Sequence, residues 1–291
     1  MKTIILLTAC VLCLWLNQTP AQGQDLEGNV SEFTSINGKL YIQPLADTFG
    51  ANMNSGLFHG ARIKRMGFHL SVGLTAMGAL IADEQKTFTT ELEGDLPADL
   101  ELPTLFGSED GIYVNEIDAT IKGVWSQSFF PLAIPQLTVG SLFGTQLTLR
   151  WFEYKIDDEI GKVKIWGIGG QHSISQYIPL CPIDLAVGYF RQSFRVGDLV
   201  DASATYLGLQ ASYSFSVLCF YGGFGYERSN VNISYTNDED GEQTRIHFEL
   251  DGKNKTRFTI GLLFDLPILK IFADYNMGAQ NVVSAGIGLG Y

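Results

Sequence analysis

Between Leu207 and Val217 the chain alternates without a slip. Leu207, Leu209, Ala211, Tyr213, Phe215 and Val217 are apolar, and Gly208, Gln210, Ser212, Ser214 and Ser216 stand between them. A period of two puts successive side chains on opposite faces of an extended strand, so this segment has one greasy face and one small, polar face. The same pattern runs through Phe258, Ile260, Leu262 and Phe264, through Leu269, Ile271, Ala273 and Tyr275, through Leu147, Leu149 and Trp151, and through Phe68, Leu70, Val72 and Leu74. At the end of the chain Val283, Ala285, Ile287, Leu289 and Tyr291 alternate with Ser284, Gly286, Gly288 and Gly290.

An antiparallel sandwich alternates in the same way, and two details separate the readings. The side opposite the apolar one holds Gly, Ser, Thr and Gln with few long solvated Lys or Glu, which suits a confined interior. The turns also alternate in kind. "IPLCPI" (178–183), "SVLCF" (216–220) and "DLPIL" (265–269) are tight and apolar, whereas "DDEIG" (157–161), "VGDLVDAS" (196–203), "TNDEDGEQ" (236–243) and "MGAQN" (277–281) are polar. Short turns at one end and longer loops at the other belong to a transmembrane barrel whose apolar faces meet lipid. Open sheet edges are excluded from hydrocarbon, so such a sheet must close.

Composition agrees. Only 17% of residues are charged, with a net charge of −12 and 46% hydrophobic residues, against roughly 25% charged in a soluble domain. No segment beyond the first 16 residues approaches the roughly 18 continuous apolar residues of a membrane helix, which excludes a helical membrane protein. The acidic balance argues against a nucleic-acid partner.

The expected fold is therefore all-β: a closed antiparallel transmembrane β-barrel of about ten strands, within a range of about 8–14. The strands are read at 66–81, 134–142, 144–155, 162–177, 183–196, 204–217, 219–235, 244–265, 268–277 and 281–291. Within "GYFRQSFRV" (188–196) the alternation slips, which marks either a bulge or the membrane boundary.

Three segments precede or interrupt the strands. Residues 1–23 have the layout of a secretory signal peptide, with Lys2, an apolar run from Ile4 to Leu16 broken only by Thr8, and small residues up to Gly23. Residues 24–62 form an extension in which Pro44, Leu45 and Phe49 have helical spacing; a proline is favoured at the first position of a helix, and the segment is placed in the lumen as a plug. The barrel is assigned to 63–291, including a loop at 83–133 that holds eleven acidic residues and two lysines. That length demands structure or function of its own, and the loop is expected outside, folded over the mouth. After signal cleavage Cys181 and Cys219 remain, too few for a disulfide scaffold.

At "YIQPLADTFGANMNSG" (41–56), "PQLTVGSLFGTQLTLRWF" (135–152) and "GIGGQHSISQYIPLCPIDLAVGYF" (167–190) the chain resembles a family of uncharacterised outer-membrane barrels of Gram-negative bacteria. More distantly its layout is similar to the long-chain fatty-acid transporter barrels. The first resemblance implies an outer-membrane location and this fold, and brings no catalytic or binding residues with it. Ser284, Gly286, Leu289 and Tyr291 look like the C-terminal insertion signal that the outer-membrane barrel assembly machinery reads.

Chemistry is sparse. His59, His69, His172 and His247 form no metal-binding spacing, no cofactor motif is present, and no catalytic residue is assigned. His172 adjoins Ser173, with Ser175 beyond, but adjacent strand residues point to opposite faces. The residues singled out are Arg150, Asp184, Arg257, Asp265, Lys270 and Asp274, all placed on the lumenal side by the alternation, where both signs can pair. The first functional expectation is the passage or binding of a small or hydrophobic solute. The second is a structural or interaction barrel, and an outer-membrane lipid-modifying enzyme is a distant third. The expected partners are the outer-membrane bilayer, the assembly machinery and that solute, with no nucleic acid.

Overall fold

The computed structural model describes residues 35–157, 161–197, 199–239 and 242–290. The expected signal peptide and Tyr291 lie outside these residues. A helix, α1 (Ser35–Met53), comes first, followed by β1 (Met66–Leu80). Four short strands sit in the long loop: β2 (Thr87–Thr89), β3 (Glu101–Pro103), β4 (Ile112–Val114) and β5 (Ala119–Ile121). Then come β6 (Phe129–Leu142), β7 (Thr145–Asp157), β8 (Gly161–Ser173), β9 (Asp184–Val196), β10 (Val200–Phe215) and β11 (Leu218–Glu239). The chain continues through β12 (Glu242–Asp251), β13 (Thr256–Asp265), β14 (Leu269–Met277) and β15 (Val282–Gly290).

Every long strand is antiparallel to its neighbours, and the ring runs β10, β9, β8, β7, β6, β1, β15, β14, β13, β11, closing where β11 pairs with β10. Ten strands form the closed wall. The segment expected as one strand at 244–265 is two: β12 pairs with the outer half of β11, from Asn230 outward, and β13 with its inner half, up to Tyr226. Between them the ladder breaks around Gly252–Lys255. At the tight-turn end Leu142 pairs with Thr145, so Phe143 and Gly144 alone make the turn, with φ of 51° and 72°. Two positive φ values in a two-residue hairpin match the right-handed strand twist.

The apolar faces of the strands point outward. Phe215 and Phe220 stand exposed near the tight turns, Tyr226 and Phe258 higher up, with Leu207, Leu209, Phe224, Ile260 and Leu262 between. Phe215 and Leu207 are eight residues apart; at roughly 3.4 Å per residue and a tilt of about 40° the band is about 20 Å tall. Beyond Tyr226 the polarity inverts. Arg228, Asn230 and Asn232 face out on β11, while Val231, Phe248, Leu250, Ala202 and Ala204 are buried inside. In β9 the same inversion falls at Tyr189–Arg191, and the pairing with both neighbours continues without a register shift. The slip at 188–196 is thus a change of surroundings and not a bulge.

The lumen is filled by α1 and the segment after it. The outer half of α1 packs Tyr41, Ile42, Ala46 and Phe49 against Leu102, Leu105, Phe106 and Ile121 of the long loop and against the apolar upper wall. That loop lies folded on the helix, and Tyr41 donates its hydroxyl to the Lys122 carbonyl at 2.9 Å. Pro44 does not open the helix but lies inside it. A proline there loses one main-chain hydrogen bond and crowds the carbonyl four residues before it, together about 3 kcal/mol in an isolated helix, which the burial of Tyr41, Ile42, Ala46 and Phe49 offsets. Farther down, Leu57 and Phe58 join Phe190, Tyr206, Tyr221 and Phe272 of the wall. The segment leaves at the tight-turn end, where the Gly144 N–H donates to the Arg65 carbonyl at 3.0 Å.

Helix and wall touch most closely at Gly50, where an added Cβ would lie 2.0 Å from Ser229 Oγ. Gly50→Ala is expected to lower stability by about 1–3 kcal/mol in urea unfolding of the detergent-folded protein, despite the better helix propensity of alanine. Adding Ser229→Gly should recover most of the loss; no recovery would show that the approach is not the constraint.

Candidate functional site: a clamp on both ends of the lumenal helix

A helix leaves four N–H groups and four carbonyls without partners at its ends, and the rest of the molecule reaches both ends of α1. At its start the Glu93 carboxylate, from the long loop, accepts the N–H groups of Ile36 at 3.1 Å and Asn37 at 3.0 Å. The Asn37 side chain completes the joint, donating to the Glu91 carbonyl at 2.9 Å and accepting the Glu91 N–H at 2.9 Å.

At the other end the wall supplies two arginines. Arg150, on β7, is 2% exposed. Its Nε donates to Gln136 Oε1 at 2.9 Å, Nη1 to the Met53 carbonyl at 3.0 Å and Gln192 Oε1 at 2.9 Å, and Nη2 to the carbonyls of Ser55 at 2.8 Å and Gly56 at 2.6 Å. A guanidinium has five N–H donors, and all five are used. No carboxylate pairs with Arg150 among the described residues; carbonyl and amide oxygens solvate it instead. Arg257, on β13, makes a two-point pair with Glu227, Nε to Oε2 at 2.7 Å and Nη2 to Oε1 at 3.1 Å. It also donates to Ser55 Oγ and, at 2.8 Å, to the Ala51 carbonyl. Acid at the N-terminus and cations at the C-terminus complement the helix dipole, so the clamp suits α1 in one direction only.

The other lumenal candidates fall into separate groups. Asp274 accepts the Tyr221 hydroxyl at 2.8 Å and the Asn276 amide at 2.5 Å, and Asn276 reaches Ser284 Oγ at 3.1 Å. Asp265 and Lys270 pair with each other beside the 266–268 turn. Lys270 also borders a void of about 40 Å³ shared with His59, Ser71, Thr75 and Thr138, where the His59 ring stacks on Phe272 with centroids 3.5 Å apart. Asp184 lies half-buried at the tight-turn mouth, on a recess of about 340 Å³ with Arg62, Lys64, Ser173 and Ser175.

Of the terminal-strand residues, Ser284 is buried, Leu289 faces outward, and Gly286 gives its space to the Phe272 ring, which an added Cβ would meet at 2.4 Å. His172 bonds Thr145 Oγ1 at 2.8 Å and the Tyr177 hydroxyl at 3.0 Å, while Ser173 Oγ meets Ser175 Oγ at 3.2 Å. Cys181 and Cys219 are free thiols.

Sequence reasoning passed over Glu227, Gln136, Gln192 and Asn276. A signal existed for the first: with Phe220, Phe224 and Tyr226 outward, alternation turns Glu227 inward. The two glutamines carry no charge to draw notice, and their role exists only because the helix ends beside them.

Arg150→Leu is expected to cost about 3–5 kcal/mol, the order found when one partner is removed from a buried ionic cluster, and to open a cysteine placed at Ser55 to a water-soluble maleimide. Arg257→Leu should cost a similar amount, and Arg257→Leu with Glu227→Leu less than the single change, since no buried charge is then left alone. Equal losses in single and double variants would contradict the pairing.

A family model described as a family of unknown function (DUF6588) matches residues 1–291. None of the curated proteins matches the chain. Among solved structures, the translocator domain of the autotransporter NalP from Neisseria meningitidis is similar over 87% of this chain and 99% of its own, with 11% identity and a TM-score of 0.34. The attachment invasion locus protein Ail of Yersinia pestis matches over 78% and 99%, with 12% identity and a TM-score of 0.26. The N-terminal β-barrel domain of OprF from Pseudomonas aeruginosa matches over 50% and 94%, with 16% identity and a TM-score of 0.24. At such scores the likenesses carry no weight, and the fold rests on the strand pairing.

Proposed function

The chain belongs to the family of unknown function (DUF6588), and we propose that it is an outer-membrane barrel of a Gram-negative envelope, closed along its axis by its own N-terminal segment and acting through its surfaces as a structural or interaction protein. In this reading residues 1–23 are the export signal, 24–62 the plug and 63–291 the barrel with its loop cap. The terminal strand, with Ser284, Gly286, Leu289 and Tyr291, is what the assembly machinery engages. The tight turns face the periplasm and the cap faces outward.

One observation carries the proposal: the outer face of the wall is apolar over the height of the band, and above it the outer face turns polar while the inner face becomes apolar. Water on both sides would favour no such inversion, and a second sheet would cover the outer face. Hydrocarbon below and water above account for both halves. The closed reading follows from the clamp, because any path along the axis requires Arg150 and Arg257 to release the carbonyls at the end of α1.

The recess at the tight-turn mouth favours a second reading, the binding of a small solute from the periplasmic side. Arg62, Lys64 and Asp184 supply charge there, and Ile178, Leu180 and Ile183 apolar surface.

The folded protein should run at a heat-modifiable position on gels and insert into bilayers, and Ala211→Arg, midway between Phe215 and Leu207, should cost about 2–4 kcal/mol. Planar-bilayer recordings should show no sustained conductance for the wild type. Recovery of the protein in the aqueous phase without detergent would end the membrane reading; steady open-channel steps would end the closed one. Saturable binding of a fluorescent fatty acid, lost in Leu180→Asp, would favour the second reading.

A further inference from the structure

The outer surface just above the apolar band is not uniform around the barrel. On β7 the exposed Trp151 is followed outward by Glu153 and Lys155; on β8 Trp166 is followed by Lys164 and Lys162. On β9 Tyr189 is followed by Arg191 and then, beyond Ser193, by Arg195; on β11 Tyr226 is followed by Arg228. Four of five neighbouring strands thus place a charge two residues beyond an aromatic ring, and on three of them that charge is cationic. Pairing makes these positions contiguous: Lys164 stands opposite Arg195, and Arg191 and Arg228 both stand opposite Thr205. On β13, Phe258 is followed outward by Thr256, with no cation.

Six cations occupy this arc, in a chain whose net charge is −12. Lys162 pairs with Glu153 at 2.7 Å, Arg195 with Asp201 at 3.0 Å and Arg228 with Asp251 at 3.7 Å. These pairs are solvent-exposed and individually weak, so they exchange readily for a better anion. Lys164 and Arg191 are exposed and have no ion pair among the described residues.

We infer that this basic arc, Lys164, Arg191 and Arg228 at its centre, binds the phosphates of anionic lipid headgroups in the leaflet next to the cap. The inference rests on the membrane reading above. Aromatic rings settle at the level where hydrocarbon gives way to headgroups, so a cation one outward position beyond them meets the phosphate layer. Arginine there binds phosphate through two parallel N–H bonds and lysine as a point charge. With this arc on β7–β11 and the acidic loop cap rising between β1 and β6, the barrel recruits anionic lipid preferentially on the side away from the cap's root.

The test uses the full-length protein in phosphatidylcholine bilayers containing a minority of phosphatidic acid, with spin-labelled phosphatidic acid and spin-labelled phosphatidylcholine as probes. The wild type should restrict the acidic probe about fivefold more strongly than the neutral one, the preference fading at high salt, since each basic group near an anionic surface contributes about fivefold at low salt. The triple variant Lys164→Gln, Arg191→Gln, Arg228→Gln should fold to the same heat-modifiable form and lose the preference. Arg62→Gln with Lys64→Gln, at the opposite mouth, should keep it. An unselective wild type or a selective triple variant overturns the inference, as does thermal protection by inorganic phosphate in neutral detergent, which would mark a site for a free anion. Because insertion into pure phosphatidylcholine is scored separately, failure of the arc is distinguishable from failure of the membrane reading.

Discussion

Ending a helix inside a barrel creates a demand that the rest of the molecule answers. The carbonyls of Ala51 and Met53 at the end of α1, and of Ser55 and Gly56 just beyond it, are buried, and a buried carbonyl without a donor costs on the order of 1–3 kcal/mol. Arg150 and Arg257 meet them, and each arginine in turn needs acceptors. Gln136 and Gln192 on the strands flanking the pair β7–β8 and Glu227 on β11 supply these. The clamp therefore ties β6, β7, β9, β11 and β13 to one helix end, five strands of the ring meeting at a single point.

The opposite end shows the same logic with the sign reversed. Glu93 comes from the loop between β1 and β6, not from the wall, so the cap and the plug are joined by the helix they share. Apolar packing adds to this: Tyr41 and Phe49 bury against the cap and the upper wall. Plug, cap and upper wall thus form one core above the apolar band, in the ordinary arrangement of a water-soluble domain. Below it the barrel is arranged the other way, with rings such as Phe272 and Tyr206 lying over glycines of neighbouring strands. Two opposite patterns of outer-face polarity are stacked on one continuous set of strands.

That stacking also explains which features of the sequence were readable. Strand number and turn polarity were legible, because a wall one residue thick leaves every side chain only two destinations, and the destinations differ in chemistry. The slip at 188–196 was visible but ambiguous. A bulge and a change of solvent both disturb an apolar count, and only the unbroken pairing of β9 with β8 and β10 separates them. Pro44 misled for a physical reason: local preference puts proline at a helix start, and tertiary burial of the whole helix outweighs it. The break between β12 and β13 was hidden because Gly252–Lys255 interrupts a ladder and not a pattern.

By itself the sequence determined that this chain makes a closed all-β wall with one apolar face, since an alternation of period two needs no knowledge of neighbours. It also put Arg150, Arg257 and Asp274 on the polar side of that wall, by parity alone. What those residues do was decided only in three dimensions. Parity says which way a side chain points, whereas the partners of Arg150 come from residues 94 to 97 positions away in the plug. Only the docking of α1 brings those carbonyls to the guanidinium, and no local pattern encodes a contact between a strand and the end of a helix that enters from the opposite mouth.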